Sequence, residues 1–104
     1  MFIENVHFCK ELEYAVLGAA MIEHDAMGRL YKLIDKDVFY YEGHSQVFEV
    51  MRKMWGNNEP IDIVSVYLRL IKEGISTIQN YNTPWYVCEI TKNVVSGEIG
   101  RAHV

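Results

Sequence analysis

Apolar residues recur at helical spacing along most of this chain, and no segment alternates clearly between apolar and polar positions. The first helical segment runs from about residue 10 to residue 22. It carries a broad apolar surface, with Tyr14, Leu17 and Met21 on one stripe and small residues around Gly18. A helix with so wide an apolar surface is buried on more than one side. We expect another helix to approach closely at Gly18.

The same spacing predicts further helices along the chain. They are a short helix after Asp25, a helix from about His44 to Trp55, one from about Ile63 to Glu73, one from about Thr83 to Val94, and a last one capped by Ser96. Residues 37–41 are apolar but short, which favours a turn, with a strand as the alternative. Residues 75–82 are predicted to be irregular. The pattern therefore predicts an all-α fold, a compact single-domain bundle of about five to six short helices.

Several predicted helix ends carry recognisable stop or start residues. Pro60 keeps the residue before it extended, and Asp62 is placed to cap the helix that follows. Gly74 closes that helix. The pair Thr83-Pro84 is typical of a helix start, with a capping threonine and proline at the first helical position. The chain ends without a stop signal, which predicts that it continues in a longer protein.

Composition narrows the class of protein. The 104 residues are half apolar, carry a net charge of −4 and contain no apolar run of about 20 residues that could span a bilayer. No secretory signal is recognisable at the start, so we expect a cytoplasmic protein whose two cysteines, Cys9 and Cys88, are reduced structural thiols. The ten basic residues are scattered, which makes strong direct DNA binding by this segment a poor expectation.

The sequence gives little indication of a catalytic or metal site. A phosphate-binding loop needs a glycine-rich stretch ending in Lys and Ser or Thr, and Gly-Lys does not occur in the sequence. His7 and Cys9 are close in sequence, but a zinc site needs four ligands, and His24, His44, Cys88 or His103 could join only through the fold. We expect no catalytic, cofactor or metal site in this segment.

Two acidic residues and one histidine have simple structural interpretations. Glu11 and Glu13 lie two residues apart, so they point in different directions on a helix, where each stabilises the first turn. A polar contact to a neighbouring subunit is the alternative. His44 begins a predicted helix with no indicated nucleophile or carboxylate partner, so we expect a structural role.

Aromatic residues are more numerous than a small helical core needs, and Tyr and Trp are favoured at protein interfaces. Base stacking is the competing interpretation, which the lack of a basic groove disfavours. The candidate interface residues are Tyr14, Leu17, Met21, Trp55, Trp85 and Tyr86.

Motifs in a fixed order resemble the N-terminal domain of bacterial replicative DNA helicases, the DnaB-like family. The resemblance covers about residues 8–96. It departs from the family at the usual proline before the first helix, near His7, and at a glycine pair that is Asn82-Thr83 here. The matching residues are Glu11, Glu13, Val16, Leu17 and Gly18; Asp37, Phe39, Tyr40, His44, Val47 and Phe48; Pro60 to Val66 with Asp62; Gly74; and Asn82 to Ile90.

The resemblance implies that residues 1–104 are the globular head of a collar domain in a hexameric, ATP-dependent helicase. Such heads pack against one another and help to dock primase and sometimes a helicase loader. ATP and Mg²⁺ would be bound by a motor C-terminal to this segment, and DNA only through the full-length parent. A small helical nucleic-acid-binding domain is the alternative function, and a small enzyme or metal protein is a weaker one.

Overall fold

The described residues of this protein form five α-helices, a 3₁₀ turn and a very short β-hairpin in a computed structural model. The structure describes residues 10–23, 25–34 and 36–102, with no account of side chains at residues 36 and 93–102. The elements are α1 (Lys10–Ile22), α2 (Ala26–Leu33), a 3₁₀ turn (Lys36–Val38), α3 (Glu42–Gly56), α4 (Ile63–Lys72), β1 (Thr77–Ile78), β2 (Tyr81–Asn82) and α5 (Thr83–Ala102). The predicted all-α bundle is confirmed.

The core lies between α1, α3, α4 and α5, and α1 packs most extensively against α5. The inner face of α3 carries Val47, Phe48 and Met51, which recur at helical spacing and are fully buried. The rings of Phe39 and Phe48 lie 5.2 Å apart, so the aromatic turn before α3 does insert into the core. That segment is a 3₁₀ turn, and the alternative of a strand is wrong.

Residues 75–82, which were predicted to be irregular, contain a short β-hairpin. Strands β1 and β2 pair in antiparallel register, with Ile78 opposite Tyr81. Gln79 and Asn80 have positive φ angles of 54° and 70°, as a tight two-residue connection requires. The hairpin buries Ile78 in the core, so these few residues close one end of the bundle.

The last two predicted helices are a single helix. Ser96 does not start a new helix, because the backbone of α5 is helical from Thr83 to Ala102. Serine costs only a few tenths of a kcal/mol inside a helix, so it interrupts one only when the surroundings favour a break. Val94 belongs to the same helix, although its side chain lies outside the described residues.

The predicted helix ends at Asp62 and Gly74 are present, whereas Asp25 and Thr83 do not cap their helices. Asp62 does cap α4, since its carboxylate accepts the Ser65 N–H at 2.8 Å, and Gly74 has a φ of 83° just beyond the helix. Asp25 occupies the cap position of α2 without a side-chain hydrogen bond. At α5 the prediction of a threonine cap was wrong. Asn82 accepts the Trp85 N–H at 2.9 Å, while the Thr83 hydroxyl donates to a loop carbonyl.

Gly43 lets the hairpin approach the start of α3, and this contact gives a first prediction. A Cβ at this position would lie 2.6 Å from Gln79 Oε1 and 2.8 Å from Ile78 Cγ2, closer than real Cβ contacts. We expect Gly43→Ala to lower the free energy of unfolding by about 1–3 kcal/mol through overpacking. Gly56→Ala is the matched control on the same helix, where a Cβ would be 3.6 Å from the Tyr31 hydroxyl.

Urea denaturation of both variants, followed by circular dichroism, measures the difference. Gly56→Ala should be neutral or slightly stabilising, because alanine is the better helix former. Equal stability of the two variants would contradict the inferred close approach of the hairpin to α3.

Candidate functional site

The most unusual polar feature of the structure is a carboxylate buried in the middle of the bundle. Glu13 on α1 is only 1% exposed. One of its oxygens accepts the Tyr40 backbone N–H at 2.7 Å, and the other accepts the Tyr41 N–H at 3.4 Å and faces His44 Nδ1 at 2.6 Å. A buried carboxylate is tolerable only when its oxygens are hydrogen-bonded in this way.

Glu13 also serves as the cap of α3, although it comes from another helix. Tyr41 occupies the cap position of α3 but has no side-chain capping bond. The first N–H groups of a helix carry partial positive charge and lack partners within the helix. The Glu13 carboxylate accepts the N–H groups of Tyr40 and Tyr41, the two residues just before α3, and the Gln79 side chain accepts the Gly43 N–H of the first turn at 2.7 Å. Helix α1 and the hairpin are therefore both fixed to the start of α3.

Tyrosine rings surround the imidazole of His44, which is fully buried. The ring centroid lies 5.2 Å from that of Tyr14, 5.5 Å from that of Tyr41 and 5.6 Å from that of Tyr86. Among the described residues, neither His44 Nε2 nor the Tyr86 hydroxyl has a hydrogen-bond partner. Burial, reinforced by Tyr14 and Glu13, raises the pKa of Tyr86 above its ordinary value of 10.

Burial also sets the protonation state of His44. It lowers the pKa of His44 below its ordinary value of 6.5, and the hydrogen bond and charge of Glu13 oppose that effect without reversing it. Geometry agrees with a neutral ring, which donates Nδ1–H to Glu13. A protonated ring would carry a second N–H donor at Nε2 with no partner in the described part of the chain.

A pH dependence of stability follows from this pKa. Unfolded His44 titrates near 6.5, and the folded protein holds it neutral to lower pH. Below pH 6.5 the unfolded state therefore binds more protons, so the free energy of unfolding falls as the pH falls toward the folded pKa. Above pH 6.5 His44 is neutral in both the folded and the unfolded state, so it no longer lowers the free energy of unfolding. Urea midpoints between about pH 7.5 and 5.5 should show this loss, and the variant His44→Gln should show a smaller one.

The Glu13–His44 pair is suited to holding the fold and poorly suited to catalysis. Both side chains are shielded from solvent. A catalytic acid or base has to reach a substrate proton, and this ring faces tyrosine side chains. The expectation that His44 has no carboxylate partner was wrong, since Glu13 is that partner. The structural role predicted for His44 agrees with its position.

Of the candidate metal ligands, only His44 and Cys88 lie among the described residues. No group of three or more His, Cys, Asp or Glu side chains that could hold a metal ion occurs among the described residues. His7, Cys9, His24 and His103 lie outside them. Cys88, expected to be a reduced structural thiol, is a free thiol but lies exposed on α5.

The candidate interface residues divide into two groups. Tyr14, Leu17, Met21 and Tyr86 belong to the core of this chain, so the expectation that they contact a partner is corrected. They were misjudged because α1 is covered on more than one side by its own neighbours, α5 and α2. Trp55 and Trp85 are 37% and 42% exposed and remain candidates.

Trp55 lines a shallow depression of about 430 Å³ between α2 and α3. Gly28 leaves room for the Trp55 side chain, because a Cβ at position 28 would lie 3.1 Å from the indole ring. Leu33 adds apolar surface, and Arg29 and Lys32 stand at the rim. The depression combines an aromatic ring, an exposed leucine and two cations, which suits a protein contact.

Trp85 forms a second exposed aromatic feature at the start of α5. Its ring stacks on that of Tyr81, with centroids 4.3 Å apart. Both side chains are about two-fifths exposed. No dense group of cations accompanies them in the sequence, which favours a protein contact over base stacking.

The remaining motif residues support the fold. Gly18 and Phe39 are buried, while Glu11, Pro60, Asp62 and Gly74 are exposed at helix ends or turns. Arg69 holds the start and end of α4 in place by pairing with Glu59 and Glu73. No helix in the described part of the chain is long and apolar enough to cross a membrane.

Comparison with known proteins gives a consistent match. A family model described as the DnaB-like helicase N terminal domain matches residues 7–103. A replicative DNA helicase DnaB of Rhodothermus marinus is 30% identical over 86 residues, which is 83% of this chain and 9% of that protein. The corresponding protein of Synechocystis sp. is 36% identical over 56 residues, 54% of this chain and 6% of that protein.

A solved structure agrees at the level of the fold. The crystal structure of the N-terminal domain of DnaB helicase from Mycobacterium tuberculosis matches with a TM-score of 0.70 and 24% identity, covering 80% of this chain and 56% of that one. The present chain spans less than a tenth of the length of the two curated relatives above.

Proposed function

This chain belongs to the DnaB-like helicase N-terminal domain family, and from that membership we propose that it is an assembly and partner-docking domain of a hexameric replicative DNA helicase. In this proposal residues 1–104 form the globular head of the collar. The heads pack against one another, and they offer a surface to primase and, in some systems, to a helicase loader. The domain acts in the cytoplasm during DNA replication.

One observation carries the proposal. The buried carboxylate–imidazole contact between Glu13 and His44 is enclosed, whereas large apolar side chains such as Trp55, Trp85 and Leu68 are exposed. Exposed apolar groups of this size mark contact surfaces more often than catalytic ones. The arrangement favours a domain that binds other proteins.

In this proposal, ATP is hydrolysed by a part of the parent protein that lies outside this segment. The sequence contains no Gly-Lys dipeptide and hence no phosphate-binding loop of the common helicase type. We propose that ATP and Mg²⁺ are bound by a motor domain outside this segment, and that DNA is contacted only through the full-length parent.

The alternative of a nucleic-acid-binding domain receives little support from the described side chains. Lys53 and Arg69 are engaged with Glu73 and Glu59. Arg52 donates to the Tyr31 and Ile34 carbonyls and covers the Tyr31 ring. Cations held in this way are poorly placed to neutralise phosphates.

Binding of purified primase to the immobilised chain, measured by interferometry, tests the proposal. We expect saturable binding that Trp55→Ala or Trp85→Ala weakens about tenfold, as loss of a hot-spot aromatic residue does. Leu12→Ala, which also truncates a partly exposed apolar side chain, is the control. Duplex and single-stranded DNA tested in the same format should not bind. Tight, salt-dependent DNA binding without primase binding would contradict the proposal.

A further inference from the structure

The depression between α2 and α3 holds an aromatic ring in place beside an uncovered leucine. A Cβ on Gly28 would lie 3.1 Å from the Trp55 ring, so the indole rests directly against α2. Trp55 is nevertheless 37% exposed, and Leu33 is 76% exposed. A ring that is already held in place loses little conformational entropy when a partner covers it. We call this feature the Trp55 depression; its lining consists of Trp55, Gly28, Leu33, Asp25, Arg29 and Lys32.

Two cations of the Trp55 depression are available to a partner. Arg29 approaches Glu23 only at 3.9 Å, and both side chains are largely solvent-exposed, so this ion pair contributes little. Lys32 is exposed and forms no ion pair with another described residue. Arg52, at the same end of α2, differs from them because its guanidinium already donates to two backbone carbonyls at that helix end. Arg29 and Lys32 are therefore the cations that an incoming group can reach.

Charge around the Trp55 depression favours an acidic partner. The lining carries two cations and one carboxylate, in a chain whose net charge is −4. The carboxylate of Asp25 is at the N-terminal end of α2, whereas Lys32 and Leu33 are at its C-terminal end. Lys32 follows Gly28 by four residues, so it lies one helical turn, about 6 Å, beyond the contact between the indole and α2. A partner that covers the indole meets positive charge at that distance along α2.

A nucleic acid fits the Trp55 depression less well than a protein segment does. Binding to DNA depends on several cations that each neutralise a phosphate, and the depression has two. The Asp25 carboxylate would repel a phosphate backbone that ran along the whole of α2. Leu33 offers apolar surface, which an apolar side chain covers and a sugar–phosphate backbone does not. These features favour a protein segment that carries both apolar and acidic residues.

We propose that the Trp55 depression binds an acidic segment of a partner protein. In this segment a large apolar residue covers Trp55 and Leu33, and carboxylates about one helical turn away pair with Lys32 and Arg29. The inference rests on the proposed docking function and adds the chemistry of the segment that docks. The contact is small beside the roughly 800 Å² per partner of a standard interface, so an isolated segment binds weakly, with a dissociation constant on the order of 0.1 mM.

Synthetic peptides test the proposal on the full chain. The acidic probe has one Phe with Asp and Glu on both sides, and the basic probe has Lys at the same positions. We expect calorimetry to show that the acidic probe binds about tenfold more tightly than the basic one. In the variant Trp85→Phe the only tryptophan left is Trp55. Its fluorescence should shift to shorter wavelength with the acidic probe, which places the bound peptide at the depression.

Charge reversal with a matched control identifies the cations. Lys32→Glu should weaken binding of the acidic probe about fivefold or more and strengthen binding of the basic one. Lys72→Glu, at an exposed position on α4, changes the net charge of the chain equally and should leave both affinities within about twofold. Leu33→Ser should also weaken the acidic probe, and so large an exposure at this position means that the fold does not depend on it. Circular dichroism checks that all variants are folded.

The outcomes separate this inference from the proposed function. If the basic probe binds as tightly as the acidic one, or Lys72→Glu weakens binding as much as Lys32→Glu, the inference is wrong, and primase binding to the chain would still support the docking function. If single-stranded DNA binds more tightly than the acidic probe and Lys32→Glu abolishes that binding, the depression is a nucleic-acid site and the inference is overturned. If the acidic probe binds as predicted and primase does not bind, the inference stands and the proposed primase contact fails.

Discussion

Replacing Glu13 with alanine is expected to lower the free energy of unfolding by about 2–5 kcal/mol, because the Tyr40 N–H and the His44 Nδ1–H lose their acceptor at about 1–3 kcal/mol each. The carboxylate accepts the Tyr40 and Tyr41 N–H groups and contacts His44 Nδ1. The substitution removes all of these contacts and leaves buried donors without partners. Such a loss is a large fraction of the stability of a small domain. Urea denaturation with circular dichroism measures it.

Glu11→Ala is the matched control for this prediction. Glu11 lies on the same first turn of α1 but is exposed. Its replacement should change the free energy of unfolding by no more than about 0.5 kcal/mol. If the two variants were equally stable, Glu13 would not be the residue that joins α1 to the start of α3.

Leu17→Ala is expected to cost about 2–5 kcal/mol of stability, the range for leucine truncation in a packed core. Leu17 is fully buried within this chain. The loss should therefore be the same at low and high protein concentration. If Leu17 lay at a subunit contact, the loss of stability on substitution would grow with protein concentration, because association adds to apparent stability.

Leu12→Ala on the same helix is the comparison, since Leu12 is 42% exposed. We expect it to cost about 1 kcal/mol or less. Thermal or urea unfolding of both variants at two concentrations distinguishes the core role of Leu17 from the interface role that the sequence had indicated. A concentration-dependent loss for Leu17→Ala would restore the interface assignment.

The helices and their inner faces could be predicted from the sequence because they depend on local spacing. Val47, Phe48 and Met51 on α3, and Val87 and Ile90 on α5, recur at helical spacing and are buried. The Asp62 cap is likewise local, since donor and acceptor are three residues apart. Family membership followed from motif order, which survives substitutions at single positions.

The Glu13–His44 site could not be predicted from local spacing, because its contacts join residues that are far apart in the sequence. Glu13 and His44 are 31 residues apart, and a carboxylate in the first turn of a helix is equally consistent with an exposed dipole contact. The one available signal was the position of Glu13 between Leu12 and Tyr14 on a helix that is apolar on most sides. A charge on such a helix needs a partner if it is buried.

The interface residues were misassigned for a related reason. An apolar stripe indicates burial but does not say whether the covering surface belongs to the same chain. For Tyr14 and Met21 the cover is intramolecular. On α4 only packing shows that Val66 faces the core while Leu68 is exposed.

Light scattering of the purified chain as a function of concentration shows whether this domain associates with itself. We expect the average mass to rise above the 12.1 kDa of one chain as the concentration approaches about 1 mM, where an interaction of about −4 kcal/mol becomes visible. A mass that stays at that of a single chain over the whole range would contradict it.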